Sequence, residues 1–190
     1  YGSVNAPTGK EWESPENLAL NKEQPHAYFF PFQHLDNARK VLPENSKYWQ
    51  SLDGDWKFHW APDPDSRPKD FYQTEYDVSS WDAIPVPSSW NIYGIQKDGT
   101  PIYVNQPVIF QHSVKVDDWR GGVMRTPPAN WTTYKDRNEV GSFRRDFEIP
   151  QDWDGREVFI SFDGVDSFFY LWINGQYVGF SKNSRNTANF

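Results

Sequence analysis

The sequence predicts an all-β fold of sandwich or jelly-roll type, and three observations carry the prediction. First, Asn174-Gly175 separates two aromatic-rich runs, Ser167 to Ile173 and Gln176 to Ser181. Asn-Gly between apolar runs is a strong hairpin signal, because a type I′ turn needs positive φ at both central residues. Second, Trp56, Phe58 and Trp60 alternate with Asp55, Lys57 and His59, the period of a strand with one apolar face. Third, further short runs are punctuated by 15 Pro and 12 Gly, and the apolar stock is aromatic, with 10 Trp, 10 Tyr and 14 Phe. Short strands divided by turn residues suit two packed β layers, and each ring buries about 150–250 Å² when covered.

Taken in order, Tyr1 to Tyr48 keeps neither helical nor strand periodicity, yet it is too aromatic for a disordered tail. It reads as an extended arm (residues 1–48) that lays its rings on the remainder (49–190), with a short helical turn over Asp36 to Leu42. The strand from Asp53-Gly54 runs to Trp60, and Ala61 to Pro68 forms a charged, Pro-rich loop. Phe71 to Val78 is ambiguous, and Trp81 to Trp90 is a short strand leading into a loop. Pro101 to Asn105 is a brief extended run, and Gln111 to Val140 is long, polar and irregular. Strands are expected over Ser142 to Ile149, with Phe143, Phe147 and Ile149 inward, and over Glu157 to Phe162, with Val158, Ile160 and Phe162 inward. Asp152 to Gly155 is the turn between them. The run Ser167 to Ile173 is apolar on both faces, which predicts a strand covered on both sides at the middle of the domain. The polar stretch ending at Phe190 calls for one further strand, so a truncated C-terminus is expected.

A net charge of −7 argues against nucleic-acid and anionic-membrane partners, which need a basic face. Zero Cys excludes thiol catalysis, disulfides and thiolate metal sites. No apolar run approaches a membrane span, and the start lacks the charged and apolar regions of a signal peptide, so any such peptide is expected to be already removed. A bacterial periplasmic or otherwise extracytoplasmic site, and equally a cytoplasmic one, fits these features.

Chemistry-bearing motifs are sparse. His26, His34, His59 and His112 lack metal-ligand spacing and read as surface residues. The pairs Asp63/Asp65, Asp117/Asp118, Asp152/Asp154 and Asp163/Asp166 lie beside turn formers, where Asp bonds its own backbone. Trp90, Tyr93, Tyr103 and Trp131, with Asn91, Asn105 and Asn130 nearby, combine rings and planar amides as a sugar surface would; the competing reading is that the rings are core. No catalytic machinery is visible.

The ordered motifs resemble one family. Trp12-Glu13-Ser14-Pro15, Asn21, Pro25-His26, Ser51 to Phe58, Val86-Pro87-Ser88-Ser89-Trp90 and Pro101 to Asn105 look like the N-terminal sugar-binding domain of glycoside hydrolase family 2 β-galactosidases. Gly141 to Arg145, Phe162 to Ser167, Trp172 to Gly175, Val178 to Ser181 and Ser184-Arg185 continue the match in order. The resemblance implies a jelly-roll β-sandwich, galactose-binding-domain-like, with an extended N-terminal arm, opening a longer multidomain chain. It implies a retaining hydrolase of terminal β-galactosides whose two catalytic Glu lie in a later (β/α)₈ barrel, so no catalytic residue falls here and the chain alone is expected to be inactive. The barrel is the implied partner, the β-galactoside the substrate, and the full-length enzyme an expected homo-oligomer.

Asn105 matches the family's galactose-binding Asn, and its amide both donates and accepts, as a sugar hydroxyl requires. Asn183 falls where some members carry an Asp that touches sugar and a sodium ion; Asn is a departure that keeps an oxygen ligand and loses the charge. Cofactors are expected only in the full-length enzyme, as magnesium and sodium, and none in this chain. The region Gln106 to Val140 is unlike the family, and the Pro-Ile-Tyr-x-Asn match favours galactosidase over mannosidase or glucuronidase. A stand-alone carbohydrate-binding module or lectin on the same fold is the alternative, and a docking domain a third reading.

Overall fold

The computed structural model describes residues 5–14, 16–93, 139–182 and 186–190. The chain forms two compact units: one comprises Tyr1–Ser51, Tyr72–Glu75 and Phe147–Phe190, the other Leu52–Phe71 and Tyr76–Asp146. Among the described residues all sheets are antiparallel and the helices are single turns, in keeping with the all-β class.

The second unit is built on β2 (Gly54–Ala61), the aromatic alternation expected from the sequence, which lies between β3 (Asp82–Val86) and β4 (Val140–Arg144). Phe58 faces Phe143 directly across the ladder, and its ring lies 4.9 Å from Phe143 and 6.0 Å from Trp90, at the start of the helical turn α2 (Trp90–Tyr93). Phe58 and Ile84 are 2% and 1% exposed and form the centre of this core.

On the opposite face, Lys57 stands directly across from Arg144. Adjacent cations repel, and each is answered by loop carbonyls. Lys57 donates to the carbonyls of Ser79 and Trp81, both at 3.3 Å, and Arg144 donates to that of Tyr76 at 2.9 Å. The loop between β2 and β3 is thereby tied down. His59, expected at the surface, lies 5.3 Å from the buried Trp81 with its Nδ1 out of solvent.

The first unit is built on β7 (Gln176–Lys182), which lies between β1 (Ala19–Leu20) and β6 (Phe168–Ile173). Asn174 and Gly175 take φ of 49° and 77°, the I′ turn that the dipeptide predicted. β6 is half-buried along its whole length rather than covered on both faces, and β7, with Phe180 and Ser181 buried, is the central strand. The β6 rings shield one another instead: Tyr170 lies 4.6 Å from Phe168 and 5.5 Å from Trp172.

The arm reaches this sheet through its backbone. Ala19 and Leu20 pair with Ser181 and Phe180, and the Lys182 amide donates to the Leu18 carbonyl at 2.8 Å. A bulge at Val178 shifts the β6–β7 register, and the Asn21 side chain donates to the Val178 carbonyl at 2.7 Å. A bulge residue has no ladder partner, so the arm supplies one. The rings expected to pack do not all do so: Tyr28 and Phe29 are 63% and 70% exposed. Ladder bonds and an Asn cap hold the arm without them. A helical turn occurs at α1 (Leu35–Ala38), near its expected position.

β5 (Ser161–Phe162) and β8 (Ala188–Asn189) form a two-stranded ladder, with Phe190 buried 5.9 Å from Phe169. Two strand predictions were too long. β4 ends at Arg144, leaving Phe147 and Ile149 exposed, and β5 begins at Ser161, leaving Val158 exposed. Alternation selects an inward face only where a ladder supplies one; outside it, the pattern has no face to read. Gln151–Trp153 makes the expected turn, closed by Gly155.

Candidate functional site

The two residues expected to meet sugar, Asn105 and Asn183, lie outside the described residues, as do Tyr103, His112, Asp117, Asp118, Asn130, Trp131, Ser184 and Arg185. What the structure describes is the framework that leads to each.

Toward Asn105, β3 ends at Val86, the peptide before Pro87 is cis, and the Ser88 hydroxyl donates to the Pro85 carbonyl. Trp90 follows, and its ring packs on Phe58 and Phe143. Trp90 is half-buried, and its ring packs against the core. Tyr93, one turn later, is 60% exposed.

Toward Asn183, β7 ends at Lys182, which is fastened on several sides. Its ammonium donates to the Ser14 carbonyl and lies 5.9 Å from the Phe168 ring and 5.6 Å from that of Phe180. Three residues before Ser14, Glu11 closes the same attachment. Its carboxylate accepts from the amides of Thr8, Gly9 and Lys10 at 2.7, 3.1 and 3.1 Å. It also accepts from the Tyr170 hydroxyl at 2.5 Å.

Burial by itself would raise the Glu11 pKa; the bonds from Tyr170 and Thr8 outweigh it and bring it down to about 2. The partners respond oppositely. Burial and then the bond to Glu11 push the Tyr170 hydroxyl up, and burial with the Glu11 charge pushes Tyr177 up to about 12. The cluster is thus a carboxylate held by three backbone amides and the neutral Tyr170 phenol. It fastens the arm to β6, the neighbour of β7. Sequence reasoning missed Glu11, because its partner Tyr170 is 159 positions away and nothing in the strand pattern around Tyr170 signals a carboxylate partner.

The carboxylate pairs behave as turn residues where described. Asp63 accepts from the amides of Asp65 and Ser66 and from the Ser66 hydroxyl, bonds that lower its pKa. Asp152 lies 3.9 Å from the Lys47 ammonium. Among the described residues no three His, Cys, Asp or Glu gather as a metal set, and no helix is long and apolar enough to cross a membrane.

An open recess lies beside β2. It is lined by His59, Tyr76 and Trp81, but the Trp81 ring is covered by its neighbours Phe71, Tyr76 and His59.

The described residues thus form an all-β framework of small antiparallel sheets joined by turns. Residues 49–190 match the profile described as "Glycosyl hydrolases family 2, sugar binding domain", and the chain belongs to that family. It is 37% identical over 181 residues to the "Beta-galactosidase" of Priestia megaterium, covering 95% of this chain and 16% of that protein. It is 36% identical over 173 residues to the "Beta-galactosidase" of Halalkalibacterium halodurans, covering 91% of this chain and 15% of the relative. The "Beta-galactosidase large subunit" of Lactobacillus helveticus is 32% identical over 188 residues, 94% of this chain and 27% of that subunit. The chain therefore spans about a sixth of the length of the first two relatives.

Proposed function

We propose that this chain is the non-catalytic N-terminal domain of a longer retaining β-galactosidase that hydrolyses terminal β-D-galactosides, lending loop residues to the edge of the substrate pocket. One observation carries this reading: β-galactosidases match nearly the whole of this chain, yet the match accounts for 16% and 15% of two of them. The bond-breaking carboxylates then belong to the remaining length, in a barrel domain that is this domain's partner within the chain.

In this reading Asn105 takes the galactosyl unit through an amide that donates to one hydroxyl and accepts from another. Asn183, the next residue in sequence after β7, contributes a second amide. Magnesium and sodium are proposed for the full-length enzyme alone. The described residues offer no acidic or His set for either ion, and no step is routed through them.

Side-by-side hydrolysis of a nitrophenyl β-galactoside by this chain and by the full-length protein tests the proposal. Turnover by the full-length protein only, falling about 10- to 100-fold in kcat/KM on Asn105→Ala, is the expected result. No turnover by either, with galactoside affinity retained by the chain, would replace the hydrolase with a lectin.

A further inference from the structure

A second cleft lies in the first unit, remote in sequence from Asn105 and Asn183. It is an open cavity of about 570 Å³ lined by Trp49, Gln50, Glu148, Ile149, Pro150 and Gln151. This volume falls within the range of small-molecule sites.

Both of its walls are fastened from behind. The Trp153 indole donates to the Lys47 carbonyl at 2.8 Å, and the Lys47 ammonium lies 3.9 Å from Asp152. The Arg156 guanidinium sits 4.5 Å over the Tyr48 ring. The segment before β2 is thereby clipped to the turn at 151–153, and these contacts hold the cleft's two walls together.

Its front is uncommitted. Gln50, Glu148 and Gln151 are exposed, and among the described residues no hydrogen bond or ion pair engages their side chains. Trp49 is half-buried, and among the described residues no ring stacks on it. The cleft thus offers an indole flanked by two amides and a carboxylate, all planar and all with hydrogen-bonding capacity to spare.

From this arrangement we infer that the Trp49 cleft is an accessory binding site for a neutral saccharide, separate from the Asn105 and Asn183 positions. The C–H face of a pyranose is apolar and fits the indole. Its hydroxyls need groups that donate and accept together, which Gln50 and Gln151 do, while Glu148 accepts from two hydroxyls. The nearby cations are engaged with Asp152 and the Tyr48 ring, so nothing in the cleft favours an anionic ligand. One ring and three exposed polar groups make a weak site, with a dissociation constant on the order of 1–10 mM.

The test is an NMR titration of this chain with lactose and, separately, cellobiose, following the indole N–H resonance of Trp49 assigned through Trp49→Phe. A saturable shift is expected, weakened about 5- to 10-fold in Glu148→Ala and in Gln151→Ala and unchanged in Asn105→Ala. Both cleft variants alter exposed side chains, so their folding is not at issue. Absence of a saturable shift up to about 50 mM sugar would overturn the inference. So would binding that is lost in Asn105→Ala and indifferent to Glu148 and Gln151. Because that last pattern places sugar at the Asn105 loop, the inference fails separately from the proposed hydrolase role.

Discussion

Gly179 is the position where the attachment of the arm is most sharply testable. A Cβ built there would lie 2.1 Å from the Leu20 carbonyl oxygen, 3.1 Å from its carbon and 3.2 Å from the Phe190 ring. The first contact is to backbone, so no rotamer change relieves it; the Leu20 carbonyl has to retreat by about 1 Å before ordinary contact is restored. Leu20 is half of the β1–β7 ladder, and its neighbours supply the Leu18–Lys182 bond at 2.8 Å and the Asn21–Val178 bond at 2.7 Å. Loss of two or three bonds, each with a net contribution of about 1 kcal/mol, gives a cost of about 2–4 kcal/mol for Gly179→Ala. Urea unfolding measures the cost, and limited proteolysis within residues 5–22 measures release of the arm. Gly155→Ala is the control. Its φ is 76° with no atom within 4 Å, so it carries backbone strain of about 1 kcal/mol and leaves the arm protected. A Gly179→Ala protein within about 0.5 kcal/mol of the parent, with its arm equally protected, would refute the reasoning.

Other outcomes follow from the same geometry. Glu11 has a folded pKa of about 2 against an ordinary 4.5. A depressed carboxylate stabilises fully above its unfolded pKa, and that contribution disappears as pH falls from about 4.5 toward 2. Discounted for the group's exposure, it amounts to about 1 kcal/mol. Tyr170→Phe should therefore flatten the acid limb of the stability curve, and equal acid sensitivity in both proteins would refute the assignment. Phe58→Ala should lower stability by about 3–5 kcal/mol, because Phe58 is 2% exposed between Phe143 and Trp90. Thermal or urea unfolding checks it, and a loss under about 1 kcal/mol would move the core of that unit elsewhere.

Local chemistry made much of this protein legible from its sequence. The Asn174-Gly175 turn, the β2 alternation and the Asp63 turn were readable because each is set by residues within a few positions of one another. The ordered motifs likewise placed the chain in its family. What only the tertiary structure decided depends on partners far apart in sequence. Glu11 meets Tyr170, Asn21 caps the Val178 bulge, and Leu20 leaves room at position 179 for nothing larger than glycine. The same reason explains the overlong strands at 147–149 and 158. Apolar alternation records which residues are able to face a sheet, but only the ladder determines where the sheet ends. The Trp49 cleft belongs with these, since Gln50 and Gln151 become neighbours only after Trp153 and Lys47 have joined their segments.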